Sequence, residues 1–384
     1  MTVNKKIPSL RFKKFEGEWE EKKLGEMCSA FKSGNSITGN DIYETGNFPV
    51  YGGNGLRGYT NSYTHDGFYV LIGRQGALCG NINRAIGKTF ISEHAIAAQA
   101  NESSDTEWLA QKLDLMKLNQ YSESSAQPGL AVNKLVKLKI ISPSLPEQQK
   151  IAAFLTAVDD KIQQLTKKKA LLEQYKKGVM QQIFNQQIRF KDDDGNDYPD
   201  WEEKELGEIG EIVTGSTPST LMKDYYNGER LFVSPIDIQQ SRFINNTVTT
   251  LTELGYSKGR CIKKGSILFV CIGSTIGKVA QAGKDLITNQ QINSVIPFDA
   301  YNNDFIFSTL QFYAPKIRTL AAEQAVPIIN KTTFSKVAMH IPNIEEQQKI
   351  ANFLTGIDNK INAVGRQLEQ TQVYKKGLLQ QMFV

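Results

Sequence analysis

The chain has 384 residues, with 45 Lys and Arg against 40 Asp and Glu for a formal net charge of +5, and 22% of its residues are charged. That length exceeds the usual single domain of ~100 to 200 residues and favours two or more; the mild positive charge permits an acidic partner such as nucleic acid without requiring one. Cys28, Cys79, Cys261 and Cys271 are scattered with no C-x-x-C pair, which speaks against a zinc cluster or a disulfide framework, and a protein of the reducing cytoplasm is expected.

The N-terminal stretch MTVNKKIPSLRFKKF has no apolar secretory core, and no later run approaches the ~18 apolar residues of a membrane span, so a soluble protein with no membrane partner is expected. From Arg11 the chain opens with RFKKFEGEWEEKKLGE. Residues 20 to 144 are rich in Gly, Asn, Ser, Thr and aromatics, with short β-like runs such as GFYVLIG between turn residues. Within them GNGLRG, Gly53 to Gly58, matches G-x-G-x-x-G. A β-like YTNSYTHDGFYV follows where a dinucleotide site needs a helix, and a turn is the better reading.

Leu145 to Phe184 reads as one helix of ~40 residues, about 60 Å at 1.5 Å per residue, with Pro146 suited to its first turn. Ile151, Leu155, Val158, Ile162, Leu165, Leu172, Val179 and Ile183 recur in alternating steps of four and three, with Lys169 and Lys176 filling two seam positions. The chain then opens again with RFKDDDGNDYPDWEEKELGE from Arg189. DDDGND, Asp192 to Asp197, resembles a calcium loop, but its glycine comes one place early and no glutamate stands at the twelfth position, so a solvated linker is expected.

Residues 202 to 342 repeat the character of the first variable stretch, with GSILFVCIG as a comparable run. GSTIGKV, Gly273 to Val279, is one residue short of a P-loop and lacks its hydroxyl, so it too reads as a glycine-bracketed turn. A faint skeleton is shared: GRQGALCGNINRAIGKTFISEHAIAAQ resembles VCIGSTIGKVAQAGKDLITNQQINSVI, and QPGLAVNKL resembles AVPIINKTT at the same place. These are read as two copies of one α+β fold with diverged surfaces.

Ile344 to Phe383 aligns with Leu145 to Phe184 without a gap and with about half its positions identical, as in EQQKIAAFLTAVDDKI against EQQKIANFLTGIDNKI. Its seam is Ile350, Leu354, Ile357, Ile361, Val364, Leu368, Leu378 and Met382, with Thr371 and Lys375 as weak members. A stripe that narrow needs a partner, and the simplest is the other helix, packed antiparallel. The alternative is that each helix packs only on its own domain. Gly178 and Gly377 are expected to soften the last turns.

No catalytic constellation emerges. His65, His94 and His340 form no spaced metal set, and no Ser-His-Asp, Cys-His, nuclease or amino-methyltransferase pattern is evident. The doubled W-E-x-x-x-L-G-E, the Gly-rich α+β stretch and the closing E-Q-Q-K-I-A-x-F-L helix, covering nearly the whole chain, resemble the specificity subunit of type I restriction-modification systems. Trp19 to Glu26 with Trp201 to Glu208, and Glu147 to Ile162 with Glu346 to Ile361, carry the likeness.

The resemblance implies an α+β protein with two duplicated α/β target recognition domains, separated by two long antiparallel coiled-coil helices in pseudo-twofold symmetry. Its expected divisions are 11–144 for the first reader, 145–187 for the first spacer helix, 188–343 for the second reader with a linker at 188–200, and 344–384 for the second helix. Each reader is expected to contact one half of a bipartite, asymmetric site in double-stranded DNA, and the helices to set the spacer. Two modification subunits and up to two restriction subunits are the implied partners. They would use S-adenosylmethionine, ATP and magnesium, and this chain would hold no cofactor, no metal and no catalytic residue.

Lys and Arg serve phosphates, and Arg, Lys, Asn, Gln and Ser serve base edges. On that chemistry and their place in glycine-rich turns, the DNA-binding candidates in the first reader are Lys32, Arg57, Tyr59, Arg74, Gln75, Lys88 and His94. In the second they are Lys223, Gln239, Gln240, Arg242, Lys258, Arg260, Ser274, Lys278, Asn289, Gln290 and Lys331. An ordinary solvated surface residue is the alternative for each. The adjacent amides of NQQIN suit adenine edges, and turn-capping amides would look the same. The competing reading for the whole chain is a coiled-coil scaffold with two protein- or glycan-binding domains.

Overall fold

The computed structural model describes residues 6–122, 128–239, 241–321 and 327–384. It comprises two compact units, Met1–Thr166 with Arg366–Val384, and Lys167–Gly365. In the first, a four-stranded antiparallel sheet runs in the order Cys28–Ser33, Ala95–Ala100, Phe68–Gly73, Ile82–Ile86. Phe68–Gly73 is central because FYVLIG buries Val70, Leu71 and Ile72 on alternating faces. A three-stranded sheet of Gly55–Thr60, Phe48–Gly52 and Phe90–Ile91 adjoins it in sequence. Helix α1, Thr106–Leu115, is started by Asp105, whose carboxylate accepts the Trp108 N–H.

The second unit repeats these parts. Its five-stranded sheet has the order Gly210–Thr214, Ile292–Pro297, Ile267–Val270, Val279–Ala282, Phe243–Ile244, and its three-stranded sheet the order Thr249–Leu251, Tyr226–Val233, Ile287–Thr288. In each unit the strand of the W-E motif, Glu20–Lys23 or Glu202–Glu205, pairs antiparallel with the strand leading to a long helix, Lys139–Ser142 or Ala338–Ile341. Trp19 and Trp201 are buried just ahead of these strands.

The long helices are α2, Leu145–Phe184, and α4, Ile344–Met382; α3 is the shorter Asn303–Arg318, the counterpart of α1. Helix α2 continues through Gly178, and α4 through Gly377, without a break. Every proposed seam residue is at least half-buried. In the second unit a Cβ on Gly365 would lie 3.9 Å from Lys169 Cε, and Lys176 Nζ meets Asp358 Oδ1 at 2.6 Å. Seven residues forward in α2 are thus seven back in α4, so the segments run antiparallel. In the first unit Lys375 reaches Asp159, the reciprocal pair.

The repeated Glu-Gln-Gln explains how the globular part of each unit and its helix join. Glu147 and Glu346 are almost wholly buried, and each meets the arginine that opens its half: Arg11 at 2.8 and 2.7 Å, Arg189 at 3.3 and 2.7 Å. Those hydrogen bonds hold both guanidinium groups above their ordinary pKa. A pair so buried contributes little net stability, because desolvation offsets attraction, yet losing one partner costs about 3–5 kcal/mol; it therefore fixes position more than it stabilises. Gln148 accepts from the Asp105 N–H at 2.8 Å and donates to the Pro143 carbonyl at 2.9 Å, and Gln347 does the same with Asn302 and Pro342, both at 2.9 Å.

A further guanidinium ties α1 and α3 to their sheets. Arg84, on Ile82–Ile86, donates to Glu107 of α1 at 2.7 Å. Gln281 stands in Arg84's place in the second unit, and there Arg242, ahead of Phe243–Ile244, pairs at 2.6 Å with Asp304, the counterpart of Glu107. No helix among the described residues is long and apolar enough to cross a membrane.

Candidate nucleic-acid interface

Both units display their loops on one hydrogen-bonded frame. In the first, the Arg74 N–H donates to the His94 carbonyl at 3.0 Å, the Leu130 N–H to Arg74 at 2.9 Å, Gly76 to Pro128 at 2.9 Å and Gly80 to Gly73 at 2.8 Å. In the second, Cys271 donates to Gln291 at 2.8 Å, Ile329 to Cys271 at 2.8 Å, Gly273 to Pro327 at 3.0 Å and Gly277 to Val270 at 3.1 Å. Gly76 and Gly273, at φ 76° and 95°, occupy the left-handed region that a side chain would strain. Equivalent positions on this shared backbone carry different groups. Arg74 faces Cys271 in the comparison, Gln75 faces Ile272, Ser92 faces Asn289, Glu93 faces Gln290 and His94 faces Gln291.

Several candidates of the first unit come together. A Cβ on Gly53 would lie 2.8 Å from the His94 carbonyl and 3.6 Å from the Arg74 nitrogen, so the turns bearing these residues touch. Arg57 is exposed, with its guanidinium 3.5 Å from Ser92 Oγ. Gln75 and His94 are exposed and Arg74 half-buried, while Tyr59 is a half-buried strand residue bridged to Tyr43. Lys32 and Lys88 belong to another group beside His65. Burial and then the Lys32 charge lower the His65 pKa, and Lys88 lies 5.0 Å over the Tyr63 ring.

In the second unit, Ser274 is exposed and Lys278 half-buried on the loop between Ile267–Val270 and Val279–Ala282. Asn289 closes on its own turn, accepting the Gln291 N–H at 3.1 Å and donating to Gln291 Oε1 at 3.0 Å, as a capping amide does. Gln290 is exposed and accepts from Thr217 Oγ1 at 2.6 Å. Arg260, also exposed, donates to the Thr214 carbonyl, which joins it to the same neighbourhood. Lys223, Lys258 and Lys331 are exposed, the last at the start of a short helix capped by Asn330. Exposed Gln239 donates to the Ile236 carbonyl at 2.6 Å, and Gln240 lies outside the described residues.

Arg242 differs from the rest. Only 8% of its side chain is exposed; it meets Asp304 at 2.6 Å and Asp358 at 3.7 Å and packs 4.5 Å over the Phe307 ring. Burial lowers its pKa while the two carboxylates oppose that shift. Its placement gives it an internal tie, so the phosphate-facing expectation for this residue gives way to a structural one. By contrast, among the described residues Lys32, Arg57, Arg74, Lys223, Lys258, Arg260, Lys278 and Lys331 form no ion pair. Cations left without carboxylates suit phosphate oxygens.

Sequence reasoning missed Arg11, Arg189, Arg84 and Thr217. The first two had a signal, since both opening motifs begin Arg-Phe-Lys; the others had none. No group of His, Cys, Asp and Glu suited to a metal occurs among the described residues.

A family model described as "Type I restriction modification DNA specificity domain" matches residues 16–174 and again 198–371. The specificity subunit of the type I restriction enzyme EcoprrI of Escherichia coli is 44% identical over 154 residues, 39% of this chain and 38% of that protein. That of MjaIX from Methanocaldococcus jannaschii is 29% identical over 211 residues, 52% of this chain and 48% of that protein. The chain thus matches less than half the length of these two relatives. A putative type I specificity subunit of Mycoplasma pneumoniae is 25% identical over 335 residues, 86% of each chain. A solved type I restriction-modification S subunit from M. genitalium shares the fold, with a TM-score of 0.72 over 98% of this chain and 99% of that one at 14% identity.

Proposed function

Because the chain belongs to the type I restriction-modification DNA specificity family, we propose that it reads DNA sequence for a multisubunit modification and restriction complex. Each unit's loop frame contacts one half of a bipartite, asymmetric site, the unpaired cations meeting phosphates and the diverged side chains meeting base edges. The two long helices set the unspecified spacer and dock two modification subunits, with up to two restriction subunits joining. Chemistry with S-adenosylmethionine, ATP and magnesium falls to those partners, in the cytoplasm, and this chain catalyses nothing itself.

The observation that carries this reading is the repeated frame. The same backbone hydrogen bonds recur in both units while the residues displayed on them differ, as expected of two readers of two sequences. A scaffold binding one protein or glycan twice would retain the same display. The test is a gel-shift titration of the chain, with and without its modification subunit, on random and on methylation-mapped duplexes. Binding to random duplex should fall steeply with salt, log K changing by about 0.9 per phosphate neutralised for each unit of log salt. Salt-independent binding, or none in either preparation, rejects the reading.

A further inference from the structure

Of the three adjacent amides Asn289, Gln290 and Gln291, the chain itself uses two. Asn289 donates to Gln291 Oε1 at 3.0 Å and accepts the Gln291 N–H at 3.1 Å, and Gln291 Nε2 turns back to the Ile272 carbonyl at 3.5 Å. Gln290, between them, is exposed, and its Oε1 accepts from the Thr217 hydroxyl at 2.6 Å. A glutamine side chain at a surface normally keeps much rotamer freedom. This one is tied at its carbonyl end, and among the described residues its Nε2 donates to nothing.

Thr217 is itself held on both sides. The Ser216 N–H donates to the Thr288 carbonyl at 2.8 Å, and the Tyr226 hydroxyl donates to the Pro218 carbonyl at 2.6 Å. Gly215 allows this approach, since a Cβ there would run into the Thr288 and Asn289 carbonyl oxygens. Pro218 biases Thr217 to an extended backbone, and β-branching stiffens the threonine side chain. In the first unit the Asn35 N–H meets the Ile91 carbonyl at 2.9 Å as Ser216 meets Thr288, which sets Ser36 and Glu93 in the places of Thr217 and Gln290. An ionised carboxylate can only accept. The two units thus put opposite hydrogen-bonding characters at one place on the same frame.

We propose that Thr217 is a positioning residue for base reading: it fixes the Gln290 carboxamide so that Nε2 donates to purine N7, on the major-groove edge of one base pair in the half-site read by the second unit. This rests on the functional reading above, in which the frame faces DNA. Adenine and guanine both offer N7 as an acceptor, whereas cytosine presents its N4 donor on that edge, so the contact favours a purine and rejects cytosine. Water competes for the Thr217 hydroxyl while the site is open. A covering duplex removes that competition and strengthens the tie as the base is engaged.

The test uses the full chain with its modification subunit on the methylation-mapped duplex. Each purine of both half-sites is replaced in turn by its 7-deaza form, and affinity is read by gel-shift competition. At one purine, the roughly tenfold penalty that the parent shows for the 7-deaza base should vanish in Gln290→Ala and in Thr217→Val. It should persist in Thr217→Ser, which keeps the hydroxyl, and penalties at the other purines should stay as in the parent. All three variants should melt with the parent, because both side chains are exposed. Thr217→Val keeping the penalty overturns the proposal, as does Thr217→Ser losing it, or Gln290→Ala matching the parent at every purine. Loss of every penalty in one half-site on Thr217→Val also overturns it, since that marks a collapsed loop. If the unaltered chain and its partner show no salt-dependent binding to the mapped duplex, the functional reading falls and takes this inference with it.

Discussion

Lys112 shows how one residue can set a pH dependence. It lies on α1 with 6% of its surface exposed, donates to the Val384 carbonyl at 2.6 Å, and has its pKa pushed down by burial to about 8. Its counterpart in the second unit is Thr309, which satisfies itself on the Phe305 carbonyl. The unfolded chain therefore binds more protons than the folded one between pH ~8 and the ordinary lysine value of ~10.5, and stability rises with pH across that window. We expect Lys112→Met to be more stable than the parent at pH 7 by about 2 kcal/mol, with the gap closing by pH ~10. Urea denaturation at both values checks it. At this scale the sequence was least legible. An arginine reads alike in sequence whether it faces solvent, as Arg57 does, or carboxylate, amide and hydroxyl acceptors in a core, as Arg242 does; only the fold separates them. The amide of Asn289 likewise matched two descriptions, and its turn supplied the hydrogen bonds of one.

Among the elements, the long helices were the most legible, because a seam in steps of three and four needs only local periodicity. What periodicity could not reveal is why lysines interrupt it. Lys176 and Lys375 stretch along the seam and meet Asp358 and Asp159, an exchange visible only once the antiparallel register is known. The Lys176 and Asp358 side chains are 14% and 17% exposed, and Asp358 also faces Arg242 at 3.7 Å. In a double-mutant cycle, Lys176→Met and Asp358→Asn should show a coupling of about 1 kcal/mol in equilibrium unfolding. Asp358→Asn alone should destabilise more than Lys176→Met, because it leaves a buried guanidinium one carboxylate short. Equal losses would show that Arg242 leans on Asp304 alone.

For the whole molecule, internal repetition made the two-unit organisation legible before any contact was known. The strand order inside each unit was not, since short runs bounded by glycines state where strands fall and leave their partners open. If each unit reads alone, replacing residues 20–144 with the corresponding stretch of another specificity protein should change one half of the methylated site and leave the other half unaltered. Mapping methylated adenines in DNA exposed to the hybrid and its modification subunit decides this; changes in both halves contradict independent readers.

The ties from Arg84 to Glu107 and from Arg242 to Asp304 bear on how such hybrids are cut. A column-by-column alignment sets Arg84 against Gln281 and records a vanished charge, although a guanidinium still meets the helix carboxylate from a position just ahead of a different strand. Parts exchanged at nominally matching strand boundaries would leave that carboxylate with two cations or with none. A graft should therefore be drawn around the ion it must carry, and the residue numbers on either side chosen afterwards.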